Sequence, residues 1–234
     1  MAHFLLDVNE TLSDMTPVGA TMRRHGANEE MARSWFAAVL RDGFALSLHG
    51  RAPAFLDLAR QQLHTCLGRV EDLDAPVEEV ADDVLAVLGG LEVHPDVVPG
   101  IVALTGAGHL VSALSNGSRE ATRGLLGRAG ILDRFAHVLS VEDRAVWKPH
   151  PEAYAAAVAQ VGVLPADLTM VAVHPWDLDG AARAGLRTVW VDRTGTPWPG
   201  AFRTPGHRAR GITGLVEVPG PPMAPRRSRR RASR

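Results

Sequence analysis

Four short stretches of this sequence hold residue types that do chemistry together. They are Asp7-Val8-Asn9-Glu10-Thr11-Leu12, Ser115-Asn116-Gly117-Ser118, Trp147-Lys148-Pro149, and His174-Pro175-Trp176-Asp177 continuing into Leu178-Asp179-Gly180-Ala181. A carboxylate such as Asp7 can attack carbon or phosphorus and form a covalent ester. An ammonium such as Lys148 beside it neutralises charge and keeps the carboxylate ionised. Ser115 and adjacent backbone N–H groups can bind an anionic substrate or steady the nucleophile. Asp177 can orient Lys148 or help to hold a metal ion.

These stretches need elements that bring them to one place. His3-Phe4-Leu5-Leu6 is a short apolar run ending at Asp7 and reads as a buried strand. The chain from about 16 to 90 is rich in Ala, Leu, Arg and Glu. Trp35, Val39 and Leu40, then Leu56, Leu58 and Leu63, then Val80, Val84, Leu85 and Leu88 predict several helices there. Gly89-Gly90 and the HPDVVPG segment read as punctuation. Beyond them strands are expected at 109–114, 138–140, 168–173 and 188–191, and helices at 119–129, 152–161 and 178–184. Strands alternating with helices imply an α/β fold with a parallel sheet covered on both faces. Ligands bind such sheets at the carboxyl ends of the strands, where all four stretches fall.

Composition bounds the setting. The chain has 234 residues, 46% hydrophobic and 22% charged, which is enough apolar material for a sizeable core. Aromatics are 5%, so Leu, Val and Ala must fill most of it. No apolar run approaches the roughly 18 residues of a membrane span. Asp7 interrupts the N-terminal apolar stretch too early for a secretory signal. The single cysteine, Cys66, forms no internal disulfide, so a cytoplasmic protein is expected. The net charge of −1 hides six arginines in the last nine residues, RRSRRRASR. Residues 219–234 read as a flexible basic tail, solvated rather than nucleic-acid-binding, since no aromatic is interleaved to stack on bases.

In this order, DVNETL, LSNGS, WKPHPEAY and VAVHPWDLDGA resemble the four motifs of the haloacid dehalogenase (HAD) superfamily. The resemblance covers about residues 3–195. It implies a Rossmann-like parallel sheet core over 1–14 and 94–218, an inserted helical cap over 15–93, and Asp7 as nucleophile. Phosphatases of the superfamily carry an acid two residues after the nucleophile and an acidic fourth motif, and bind Mg²⁺ there. Here those positions are Asn9 and Ala172. Asparagine cannot be a general acid, and Mg²⁺ favours anionic oxygen ligands. A halide needs no proton to leave, so these replacements cost a dehalogenase little.

SNGS, Lys148 followed by Tyr154, and Trp176-Asp177 with Gly180-Ala181 are most similar to the type II L-2-haloacid dehalogenases. The resemblance implies no metal or other cofactor, a small 2-haloacid as substrate, and Thr11, Ser115, Asn116, Tyr154 and Trp176 as substrate-site residues. The cap arginine that receives halide in that family aligns with Phe36, and Arg41 lies too far along the helix to replace it. The fourth-motif serine and asparagine correspond to Ala172 and His174. His174 with Glu10 offers a substitute for positioning water: a histidine base with a carboxylate to fix its tautomer. Phe36, Trp35 and Trp176 can wall the pocket. Two alternatives stay open: a phosphatase or ester hydrolase with a reduced, Mg²⁺-dependent site, and a non-catalytic binding protein of the same fold. Relatives of this fold often dimerise, but no interface or membrane-binding segment is legible.

Overall fold

A computed structural model of the chain describes residues 1–219. The basic tail expected over 219–234 lies, beyond Pro219, outside the described residues.

Strand β1 (His3–Leu6) is buried along its whole length, as a strand covered on both faces must be. Its neighbours are β2 (Leu110–Ser115) and β4 (Leu168–Ala172). With β3 (Phe135–Ser140), β5 (Arg187–Val191) and β6 (His207–Ala209), the order is β3-β2-β1-β4-β5-β6, and every pairing is parallel. This is the doubly wound Rossmann order, which reverses direction beside β1 and opens a crevice at its carboxyl end.

Alternation along the strands divides the core. Phe4, Leu6, Val111, Ala113, Val171 and Val189 face one side, against α5 (Val97–Gly106), α6 (Arg119–Arg128) and a short 3₁₀ turn at Ile212–Glu217. Leu5, Leu114, Met170 and Trp190 face the other, against α7 (Pro151–Val161) and α8 (Pro175–Arg183). The second core continues without a break into α1 (Thr16–Arg24), α2 (Met31–Ser47), α3 (Phe55–Leu67) and α4 (Val77–Gly89). Leu5, Leu63 and Leu67 are completely buried there, each stabilising the fold by about 1.5–3 kcal/mol. The chain leaves the sheet after β1 and returns beside its own exit. Ser13 bridges Val93, and the His94 N–H donates to the Leu12 carbonyl at 2.9 Å.

The structure departs from the sequence reading in four places. The segment read as punctuation continues into a helix, α5, because Pro99 falls in its first turn, where a missing N–H costs nothing. Leu56 is half exposed, while Phe55, Leu58 and Leu63 form the buried stripe of α3. β3 begins at Phe135, three residues before the expected start. β6 and the turn after it were not legible, being too short for either period to show.

Candidate active site

Each site residue stands at the end of a strand or in the first turn of a helix. Asp7 follows β1 directly, and its backbone N–H donates to the Val171 carbonyl at 2.9 Å, continuing the ladder one residue further. Ser115 ends β2. Asp177 lies in the first turn of α8, which Pro175 starts with a preset φ. The Lys148 loop is held by Asn116, whose carboxamide accepts from the Lys148 N–H (2.9 Å) and donates to the Lys148 carbonyl (3.3 Å). The next residue back, Trp147, fits against Gly43 of α2, where a Cβ would approach its ring to 2.1 Å. Its N–H donates to Ser47 Oγ at 2.8 Å.

At the centre, Lys148 Nζ donates to Asp7 Oδ1 and to Asp177 Oδ2, both at 2.7 Å, and all three side chains are buried. Thr11 Oγ1 donates to Asp7 Oδ2 at 2.6 Å and accepts the Val173 N–H at 3.1 Å. Burial pushes the Asp7 pKa up, but Lys148, His174 and the Thr11 hydroxyl outweigh it and hold the carboxyl below its ordinary value. Burial dominates at Asp177, whose pKa is raised despite the same ammonium. Burial alone would lower Lys148; its two carboxylates raise it instead, so it stays charged. Tyr154 is fully buried and donates to Asp177 Oδ1 at 2.7 Å. Burial and the neighbouring carboxylate raise its hydroxyl well above the usual 10.

Tyr154 therefore sits against Asp177. Its hydroxyl is engaged by that carboxylate. The Asn116 side chain is spent in the same way on the Lys148 backbone. Ser115 Oγ accepts the Gly117 N–H at 2.9 Å and stays at the wall of a cavity.

His174 caps the start of α8. Its Nε2 lies 3.7 Å from Asp7 Oδ2, 3.6 Å from Glu10 Oε2 and 3.2 Å from the Asn9 carbonyl. All three neighbours are acceptors, so Nε2 carries the proton in this arrangement. The Glu10 contact is at ion-pair distance, longer than a hydrogen bond. Aromatic packing holds the ring: Trp176 stacks on it at 4.9 Å and 22°, and Phe36 lies at 6.4 Å. Phe44 closes on the far side of Trp176 at 4.8 Å. Burial pushes the Glu10 pKa up, partly offset by His174. Glu10 also has φ of 60°, a left-handed conformation that favours glycine. Arg41 is exposed and paired with Asp42, away from the site.

Sequence reasoning missed the supports. Arg193 donates to Asp96 (2.8 Å) and to the Thr11 carbonyl (2.7 Å), clamping the loop after Asp7. Phe55, Phe44 and Ser47 reach the site from the inserted helices. None of these has a sequence signal, since each acts through a contact distant along the chain.

A parallel sheet in Rossmann order, a helical insertion after its first strand and an Asp–Lys–Asp cluster at its switch point define a HAD-type hydrolase. The haloacid dehalogenase-like hydrolase family model matches residues 1–185, and the chain belongs to that family. Within it, the chain is 28% identical over 197 residues to (S)-2-haloacid dehalogenase 1 of Pseudomonas sp. (strain CBS-3), covering 83% of each. It is 30% identical over 191 residues to the (S)-2-haloacid dehalogenase of Xanthobacter autotrophicus, covering 81% of this chain and 74% of that one. The Xanthobacter L-2-haloacid dehalogenase with chloropropionic acid covalently bound superposes with a TM-score of 0.80 at 26% identity, over 93% of this chain and 98% of that chain.

Proposed function

We propose that the chain hydrolyses carbon–halogen bonds of 2-haloacids through an ester on Asp7. The carrying observation is the Asp7–Lys148–Asp177 cluster, in which one ammonium occupies the place between the two carboxylates. Two named relatives with this activity support the reading. Asp7 is kept ionised by Lys148 and oriented by Thr11. Its carboxylate displaces halide at C2 with inversion, and Ser115 with neighbouring backbone N–H groups receives the substrate carboxylate. Phe36 contributes an apolar wall beside His174.

Water then attacks the ester carbonyl, and His174 takes its proton. For this step the ring carries its proton on Nδ1 and presents a free Nε2 to water; the imidazolium that forms is stabilised by the Glu10 carboxylate, 3.6 Å away. The strained backbone at Glu10 supports a used carboxylate, since a glycine would sit there at less cost.

The phosphatase alternative fits less well. A dication between Asp7 and Asp177 would meet the Lys148 ammonium, and Asn9 and Ala172 supply no further anionic oxygen. Among the described residues no cluster of His, Cys, Asp or Glu suits a metal ion, and no helix is long and apolar enough to cross a membrane. The binding-protein alternative leaned on the basic tail, which lies outside the described residues.

The test is halide release from a panel of 2-haloacids, with and without EDTA, beside a generic phosphatase substrate. Halide release unaffected by EDTA is expected, with Asp7→Asn inactive and substrate mass trapped on the Asp7 peptide of the wild type. Strict Mg²⁺ dependence, or a label elsewhere, overturns the reading.

A further inference from the structure

Two cavities flank the loop that follows Asp7, and they share no lining residue. The larger, about 930 Å³, carries Glu10 and His174 among charged neighbours, including Arg33, Asp14 and Asp192. The smaller, about 340 Å³, opens on Asn9 and Ser115 and runs outward between the insertion and the sheet. Its walls are Phe55 of α3, Leu85 and Leu88 of α4, and Leu125 of α6.

A three-carbon haloacid has about six heavy atoms. If each claims at most the roughly 30 Å³ share of a liquid water, it fills about half of this space. The remainder lies toward the leucines. The two cations at the rim are already engaged: Arg60 pairs with Asp82 (2.6 Å) and Glu78 (3.4 Å), and Arg128 donates to the Leu91 carbonyl at 2.8 Å. Exposed Asp57 lines the same rim and opposes a second carboxylate. The occupant these walls fit is therefore an uncharged hydrocarbon chain, attached to the carbon next to a carboxylate held at Ser115.

We propose that the cavity between α3, α4 and α6 receives the C2 substituent of the substrate, and that the preferred substrates are 2-haloalkanoates with apolar chains of roughly four to six carbons. This rests on the dehalogenation reading above. It places the chain on the apolar side of Asp7, while the water-activating groups face the polar cleft on the other side.

The test compares kcat/KM for 2-bromopropionate, 2-bromobutyrate and 2-bromohexanoate. Each added methylene should raise it about fourfold, the value of one buried methylene, until the cavity is full. Two variants fill the cavity from opposite walls. A Cβ at Gly89 meets nothing within 4 Å, and Ala121 is exposed at the rim, so Gly89→Leu and Ala121→Phe are sterically tolerated. Each should lower the hexanoate-to-propionate ratio by about tenfold. A flat series, or a ratio indifferent to both variants, overturns the proposal.

Calorimetric binding of lactate and 2-hydroxyhexanoate separates it from the reading on which it rests. Tighter binding of the longer hydroxy acid, lost in both variants, supports the cavity even if no 2-haloacid releases halide. Equal binding of the two acids alongside normal halide release overturns the chain site alone.

Discussion

At the residue scale, chemistry and positioning fall to different groups around one carboxylate. Asp7 is contacted by Lys148, Thr11 and His174 from three segments, and only His174 faces the cleft in which Glu10 stands. A mutation that harms only ester hydrolysis should let the ester accumulate. His174→Ala should therefore release a stoichiometric burst of halide and then stall, with steady-state turnover down about 10²–10⁴-fold. Glu10→Gln should show a milder form, and the double variant should be no slower than His174→Ala, since the pair acts as a unit. Rapid-quench halide measurement and intact-protein mass decide this; normal turnover in His174→Ala would sink the dyad. The pH dependence should divide in the same way. Asp7 titrates below its ordinary 3.8, so the burst should survive acidification to that value. Burial raises Glu10 above its ordinary 4.5, so the acid limb of steady-state turnover should lie above 4.5 and change position in Glu10→Gln.

At the scale of elements, two glycines set how closely helices approach the site. Gly180 of α8 faces Tyr154 and Pro149, and a Cβ there would meet the Tyr154 hydroxyl oxygen at 2.8 Å and Pro149 Cβ at 2.7 Å. Gly180→Ala should push α8 away from α7 and break the Tyr154–Asp177 hydrogen bond. Overpacking of this kind typically costs about 1–3 kcal/mol. The variant should thus unfold earlier in urea and lose kcat, and Tyr154→Phe should reproduce the kinetic loss with less loss of stability. Equal urea midpoints for Gly180→Ala and the wild type would show that the helices have room to spare. Gly43 plays the same part for α2, by letting Trp147 lie flat on the inserted helix.

At the scale of the molecule, Lys148 ties together loops from both halves of the sheet. Removing it leaves two buried carboxylates facing each other, and breaking a buried pair this way costs about 3–5 kcal/mol. Lys148→Met should lose that much stability in urea at neutral pH and should fail to give the halide burst. The sign follows from the pKa shifts. Asp7 is depressed, so its contribution is present above 3.8 and is lost as pH falls through its folded value. Lys148 is raised, so its contribution is present below 10.5 and is lost as pH rises through its folded value. Asp177, raised by burial, works against stability as it ionises, although its charge supports that of Lys148. The gap between wild type and variant should therefore be widest near neutrality and close toward either extreme; a gap independent of pH would contradict this.

The local pattern determined the strand–helix alternation, the helical block after β1 and the four loops bearing Asp7, Ser115, Lys148 and Asp177. Those features depend on residue order and period, which a single chain displays directly. Only the tertiary structure decided where the polar atoms are spent. It joined the Tyr154 hydroxyl to Asp177 and the Asn116 side chain to the Lys148 backbone, partners 23 and 32 residues away. It placed His174 Nε2 among acceptors and recruited Arg193, Phe44 and Ser47. It also opened two cavities on opposite sides of one loop. Such assignments depend on through-space distances of a few ångströms between segments up to 182 residues apart, which no local periodicity encodes.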